Sequence, residues 1–148
     1  MAYSYLDDVR SSSRLADVSR GKKTIKWLTG LVLIGHGLIH GLGPMAIWGI
    51  ADIQGFSGIA ALAVSDTALK ILALAWLVAM AILVAVGFGL IAGQNWWQPW
   101  ALAGAIVSQI VIAVWWTDAA AGTIPNILIA TAAIWGDRLY PPPGSEYH

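Results

Sequence analysis

Two histidines four residues apart, His36 and His40, lie inside the apolar run that begins at Trp27, among Gly35, Gly37, Gly41 and Gly43 and just before Pro44. An imidazole titrates near neutral pH, carries its proton on either nitrogen and ligates metals. Helical spacing of four residues sets two of them on one face. The other polar side chains within apolar stretches are Ser108, Gln109, Asn126 and Thr131, with Asp118 at the end of one. Unpaired polar groups are costly in hydrocarbon and turn inward, so these residues outline the interior of a helical bundle.

Three chemistries fit the histidine pair. In the first, both imidazoles are neutral, bonded to Gln109, Asn126 or backbone carbonyls, and hold helices in register. In the second, His36 and His40 bind one metal ion with Asp118 as third ligand, or one of them ligates a haem. A single haem between both is disfavoured, because axial ligands approach from opposite faces. In the third, a histidine and Asp118 exchange protons with a lipophilic substrate or quinone.

The local backbone separates the two histidines. Pro44 lacks an N–H and its ring clashes with the carbonyl four residues back, that of His40, which predicts a kink there. Gly37, Gly41 and Gly43 leave room for another backbone or a bound molecule. A first span running from inside to outside sets His36 near the midplane and His40 one turn outward, on the side of Asp118 and Asn126. His40 is therefore the expected functional histidine, and His36, at the level of Gln109, the structural one. Asp118 also reads as a carboxylate in interfacial water that caps the turn before Thr123.

These residues need a scaffold, and the composition says which kind. Of the 148 residues 58% are apolar and 11% charged, and the charges fall almost entirely outside four long apolar runs. That balance belongs to an integral membrane protein. Lys plus Arg equals Asp plus Glu, so no overall charge points to nucleic acid, and the absence of cysteine removes disulfides, iron–sulfur clusters and thiolate zinc sites.

The expected architecture is an all-α, four-helix transmembrane bundle with spans at about 27–50, 68–92, 100–117 and 123–140. Residues 1–26 hold Arg10, Arg14, Arg20, Lys22, Lys23 and Lys26, six of the eight basic residues, which places the N-terminus in the cytoplasm. Part of this segment fits a weak amphipathic surface helix that Ser11–Ser13 interrupt. Residues 51–67 have no basic residue and read as an external loop, with Asp66 or Thr67 capping the next helix and Lys70 snorkelling from its first turn. Gly89 and Gly93 form a small-xxx-small pair for close helix contact. Pro99 suits the first position of the third helix. Asn126 and Thr131 suggest that the fourth packs against partners. Asp137 and Arg138 end that span, and residues 141–148 form a Pro-rich cytoplasmic tail. Eight of the nine tryptophans, Trp115 among them, fall near span ends, where belt anchoring explains them; Trp76 alone lies deeper. Trp48 and Trp115 leave room for an aromatic box around a ligand.

At His36-Gly-Leu-Ile-His40-Gly-Leu-Gly43, with Ser108-Gln109, Trp116-Thr-Asp118-Ala119 and Gly122-Thr-Ile-Pro-Asn126, the chain resembles a group of small four-span prokaryotic membrane proteins, broadly similar in layout to the DoxX-like proteins. The likeness covers residues 31–136. It implies that His36, His40, Asp118, Gly122, Thr123 and Asn126 form one recurring set, and it supplies no reaction. That group continues after the second histidine with a Gly-aromatic step and a lysine, where this chain has Pro44-Met45-Ala46-Ile47, so a positive partner for Asp118 is missing.

The expected function is that of a multi-pass plasma-membrane binding or accessory protein, both termini cytoplasmic. A His/Asp/Asn pocket in the outer half of the bundle would take a lipophilic ligand, a metal or haem. Its expected partners are the lipid bilayer and other membrane subunits or further copies of itself. The alternative is a small integral-membrane oxidoreductase or related enzyme acting on a quinone-like or lipid substrate.

Overall fold

The computed structural model describes residues 2–136, with side chains from residue 17 onward, so Asp137, Arg138 and the Pro-rich tail lie outside the described residues. Every regular element among these is helical: α1 (Ala2–Ile39), α2 (Leu42–Ile47), α3 (Asp66–Leu72), α4 (Leu74–Ala92), α5 (Trp97–Val114), α6 (Trp116–Ala119), a single 3-10 turn (Ala120–Gly122) and α7 (Thr123–Ile134). Three helical stretches are long and apolar enough to cross a membrane: Asp17–Ile47, Asp66–Ala92 and Trp97–Val114. The described part of α7 has 12 residues, about 18 Å of helix. The remainder of the expected fourth span falls beyond residue 136.

Pro44 breaks the first stretch where its missing N–H requires. α1 stops at Ile39, the His40 and Gly41 N–H groups turn to the Gly37 and Leu38 carbonyls at 3.0 and 2.9 Å, and α2 restarts at Leu42. The N-terminal end differs from expectation. Ser11–Ser13 do not interrupt the backbone, and residues 2–26 continue into the first span as one 38-residue helix rather than a separate surface helix. Helix propagation is favourable once a nucleus exists, and three serines are too few to stop it.

Each long helix packs antiparallel on the next. Gly30, Gly37 and Gly43 lie against Ile91, Val84 and Trp76, so α1 and the break after it run opposite to α4. Gly104 of α5 faces Ile82 and Leu83 of α4, Gln98 reaches the Ala133 carbonyl near the end of α7, and α7 also touches α1. The close helix approach is at Gly30 and Gly87. A Cβ on Gly87 would stand 2.7 Å from the Gly30 carbonyl oxygen. The Gly89–Gly93 pair does something else: Gly89 receives the Trp96 ring, and Gly93 ends α4 with a left-handed φ of +76°.

Local details shift as well. Ser65, rather than Asp66 or Thr67, caps α3 by accepting from the Ala68 N–H at 3.3 Å, and Lys70 pairs with Asp66 at 3.5 Å on the surface. α5 begins at Trp97, so Pro99 is its third residue, still within the turn whose N–H groups have no helical partner. Thr131 faces outward, its hydroxyl donating to the Ile127 carbonyl at 2.7 Å, so only Asn126 of that pair points into the bundle.

The core is small and the outside greasy. Leu33, Leu83, Val86, Leu90, Ala101 and Ile129 fill the middle of the helix packing. Leu28, Leu38, Ile71, Phe88, Ile106, Ile110, Ile127 and Ile134 stand exposed. Such a continuous apolar exterior suits hydrocarbon rather than water.

Candidate functional site

Among the described residues the buried polar side chains are His36, His40, Ser108 and Asn126, and they meet in one place. α1 supplies His36, the break created by Pro44 supplies His40, α5 supplies Ser108 and Gln109, and α7 supplies Asn126. His40 has both ring nitrogens engaged. Nδ1 is 3.1 Å from the His36 carbonyl oxygen and Nε2 is 2.7 Å from Ser108 Oγ. A carbonyl only accepts, so Nδ1 carries the proton and the Ser108 hydroxyl donates to Nε2. His36 Nε2 is 3.0 Å from Asn126 Oδ1 and 3.5 Å from Ser108 Oγ. Asn126 Nδ2 donates to Gln109 Oε1 at 3.1 Å, and Gln109 Nε2 to Thr123 Oγ1 at 3.2 Å. These residues come from stretches far apart in the sequence; the fold joins them into one relay.

The two histidines differ in how completely they are bonded. His40, expected to be the functional one, is 2% exposed and has both ring nitrogens engaged; His36, expected to be structural, keeps one ring nitrogen with no partner among the described residues. The cause is the break itself, which brings the His40 ring under Ser108 and over its own helix carbonyl.

Beside this cluster lies a partly open cavity of about 400 Å³. His36 and His40 form part of its wall, with Trp76 from α4, Phe56 from the 48–65 loop, and Asp118 and Gly122 from the turn before α7. The lining is mostly apolar, and the volume suits a small organic molecule. Aromatic contacts continue the wall inward. The His36 and His40 rings meet edge-on at 4.8 Å, His40 and Trp76 at 5.4 Å, Trp76 and Trp115 at 5.7 Å, and Phe56 and Trp76 at 6.2 Å.

Trp115 is therefore not a belt residue. It is 1% exposed and packs with Trp76 and Val111, because the chain turns inward after α5. The aromatic wall expected at Trp48 and Trp115 forms instead from Trp76 and Phe56, with Trp115 packed behind Trp76, while the Trp48 indole donates to the Lys70 carbonyl at 3.0 Å. The Trp76 and Trp115 indole N–H groups are buried without a partner among the described residues. Phe56 was missed by sequence reasoning. Its signal was one large aromatic between Gly55 and Gly58, whose φ values of +85° and +69° make the turns that bring it over the cavity.

Asp118 makes contacts that its sequence neighbours do not suggest. Its two carboxylate oxygens accept the Ser57 and Gly58 N–H groups at 2.9 and 3.0 Å, and the Ala61 N–H bonds the Val114 carbonyl at 2.7 Å beside it. Both oxygens thus pin the 48–65 loop across the end of the helices, each accepting one backbone N–H. Consequently the proposed metal set of His36, His40 and Asp118 is not gathered: among the described residues no three His, Cys, Asp or Glu side chains converge on a point that could hold a metal ion. A Cβ on Gly122 would come within 2.8 Å of Ile112 Cδ1, so the glycine lets the turn lie close against Ile112, beside the His36 ring.

Ser108, His40 and the His36 carbonyl have the order of a nucleophile, base and orienting group. Ser108 is 0% exposed and does not line the cavity.

Comparison with family models, curated proteins and solved structures finds no match to the chain.

Proposed function

We propose that this chain is a four-span plasma-membrane protein, with α7 in the fourth span and both termini cytoplasmic, that binds one small lipophilic molecule in the cavity beside His36. The cavity carries this reading. It is mostly apolar, holds a few polar atoms at one end, and is roofed by a loop that a buried relay does not need but Asp118 and three positive-φ glycines hold in place. A binding or accessory role fits better than an enzyme, because Ser108, the hydroxyl paired with His40, is fully buried and does not line the cavity. Membership of the four-span group that the His36–Gly43 stretch resembles is part of the same proposal.

Titration of the fluorescent apolar dye N-phenyl-naphthylamine into protein reconstituted in lipid nanodiscs tests it. Saturable binding is expected, weakened about tenfold by Ala121→Trp, which places an indole in the cavity from an exposed backbone position. Asp118→Ala, which releases the roof, is expected to weaken it severalfold. Unsaturable uptake, or equal affinity in Ala121→Trp, would overturn the reading.

A further inference from the structure

The relay behind the cavity has a direction, and that direction decides what the cavity can recognise. Ser108 donates its only hydrogen to His40 Nε2, since His40 Nδ1 must donate to the His36 carbonyl. The Ser108 oxygen, fully buried, then needs a donor of its own. His36 Nε2, 3.5 Å away, is the side-chain nitrogen that reaches it, while the same N–H makes its main bond to Asn126 Oδ1 at 3.0 Å. Asn126 is held with its oxygen toward His36 because its amide nitrogen donates to Gln109 Oε1, and Gln109 is held in turn by donating to Thr123. Every polar atom in this chain of contacts agrees with one assignment, in which His36 carries its proton on Nε2.

A neutral imidazole with a proton on Nε2 has a bare lone pair on Nδ1. No described residue donates to it; it is not among the polar atoms sealed from solvent, and His36 lines the cavity. An accessible acceptor of this kind at the edge of apolar walls is best met by a ligand that is apolar over most of its surface and brings one hydrogen-bond donor.

We infer that the cavity selects neutral, lipophilic molecules bearing a hydroxyl donor, of the phenol or alcohol class, by presenting the His36 Nδ1 lone pair, and that Ser108, Asn126, Gln109 and Thr123 are positioning residues that fix this tautomer. The inference rests on the cavity being a ligand site, as proposed above. It adds the ligand's polarity: a donor is accepted, and the same skeleton with the donor masked is discriminated against.

The test pairs a spectroscopic readout with a matched probe pair. In protein labelled with nitrogen-15 histidine, long-range proton–nitrogen spectra are expected to show His36 protonated on Nε2 and bare on Nδ1. Thymol, a one-ring phenol, is expected to shift the Nδ1 resonance and to bind about tenfold more tightly than thymol methyl ether, as befits one hydrogen bond gained away from water. Asn126→Leu is expected to reduce the preference to about twofold or less and to mix the two His36 tautomers in the same spectra. A proton on Nδ1, or equal affinity for phenol and ether, would overturn the inference and leave the cavity's role as a ligand site standing. If neither compound binds while the naphthylamine dye still does, the inference fails alone; if none of the three binds, the proposed function fails with it.

Discussion

At the scale of single residues, the strongest constraint is Ser108. It sits between the two imidazoles with no exposed surface, and it supplies the hydrogen bond that His40 Nε2 accepts. Ser108→Ala leaves that nitrogen buried and unpaired. Such groups cost about 1–3 kcal/mol in water-soluble proteins, while interhelical bonds measured in membranes contribute nearer 0.6 to 1.7. A loss of about 1–2 kcal/mol is therefore expected in reversible unfolding in mixed micelles. An unchanged unfolding free energy would show that the His40–Ser108 contact contributes nothing.

At the scale of elements, the contact between α1 and α4 depends on an absent side chain. A Cβ on Gly87 would meet the Gly30 carbonyl at 2.7 Å and Ile34 Cγ1 at 2.6 Å, and backbone cannot move aside as a flexible side chain can. Gly87→Ala is expected to destabilise by about 1–3 kcal/mol through forced separation of the helices. Gly35, exposed on α1 with nothing near its Cβ position, provides the control. Gly35→Ala is expected to be neutral or slightly stabilising, since alanine favours the helix by about 1 kcal/mol over glycine. Parallel thermal denaturation of the two variants checks both, and equal losses would overturn the assignment of the close contact. The loop between α2 and α3 is held by different means, two backbone N–H groups on one carboxylate, which is why it stays over the cavity without a core of its own.

At the scale of the whole molecule, polarity is inverted relative to a protein dissolved in water. Polar atoms gather at His36, Ser108 and Asn126 in the interior, and isoleucines, leucines and Phe88 cover the outside. Arg20, Lys22 and Lys23 stand exposed on the part of α1 that precedes the apolar stretch. An excess of basic residues marks the cytoplasmic side of a membrane segment. Fusions of green fluorescent protein to either terminus are expected to fluoresce, and alkaline phosphatase inserted in the 51–65 loop is expected to be active. Phosphatase activity at either terminus would reverse the proposed topology.

The amino-acid sequence by itself determined the helical, apolar character of the chain, the polar residues that turn inward with the exception of Thr131, and the break at His40. Each follows from local causes: composition, the cost of polar groups in hydrocarbon, and the proline four residues on. Tertiary structure decided how those residues are used. Which histidine keeps a free nitrogen depends on Ser108 and Asn126, 68 and 90 residues distant from their partners along the chain. Whether Trp115 faces lipid or core depends on where the chain turns after α5. Asp118 became the anchor of a loop because folding brought the Ser57 and Gly58 N–H groups to it. Spacing along a helix records which face a side chain occupies, and only packing supplies the atom on the other side.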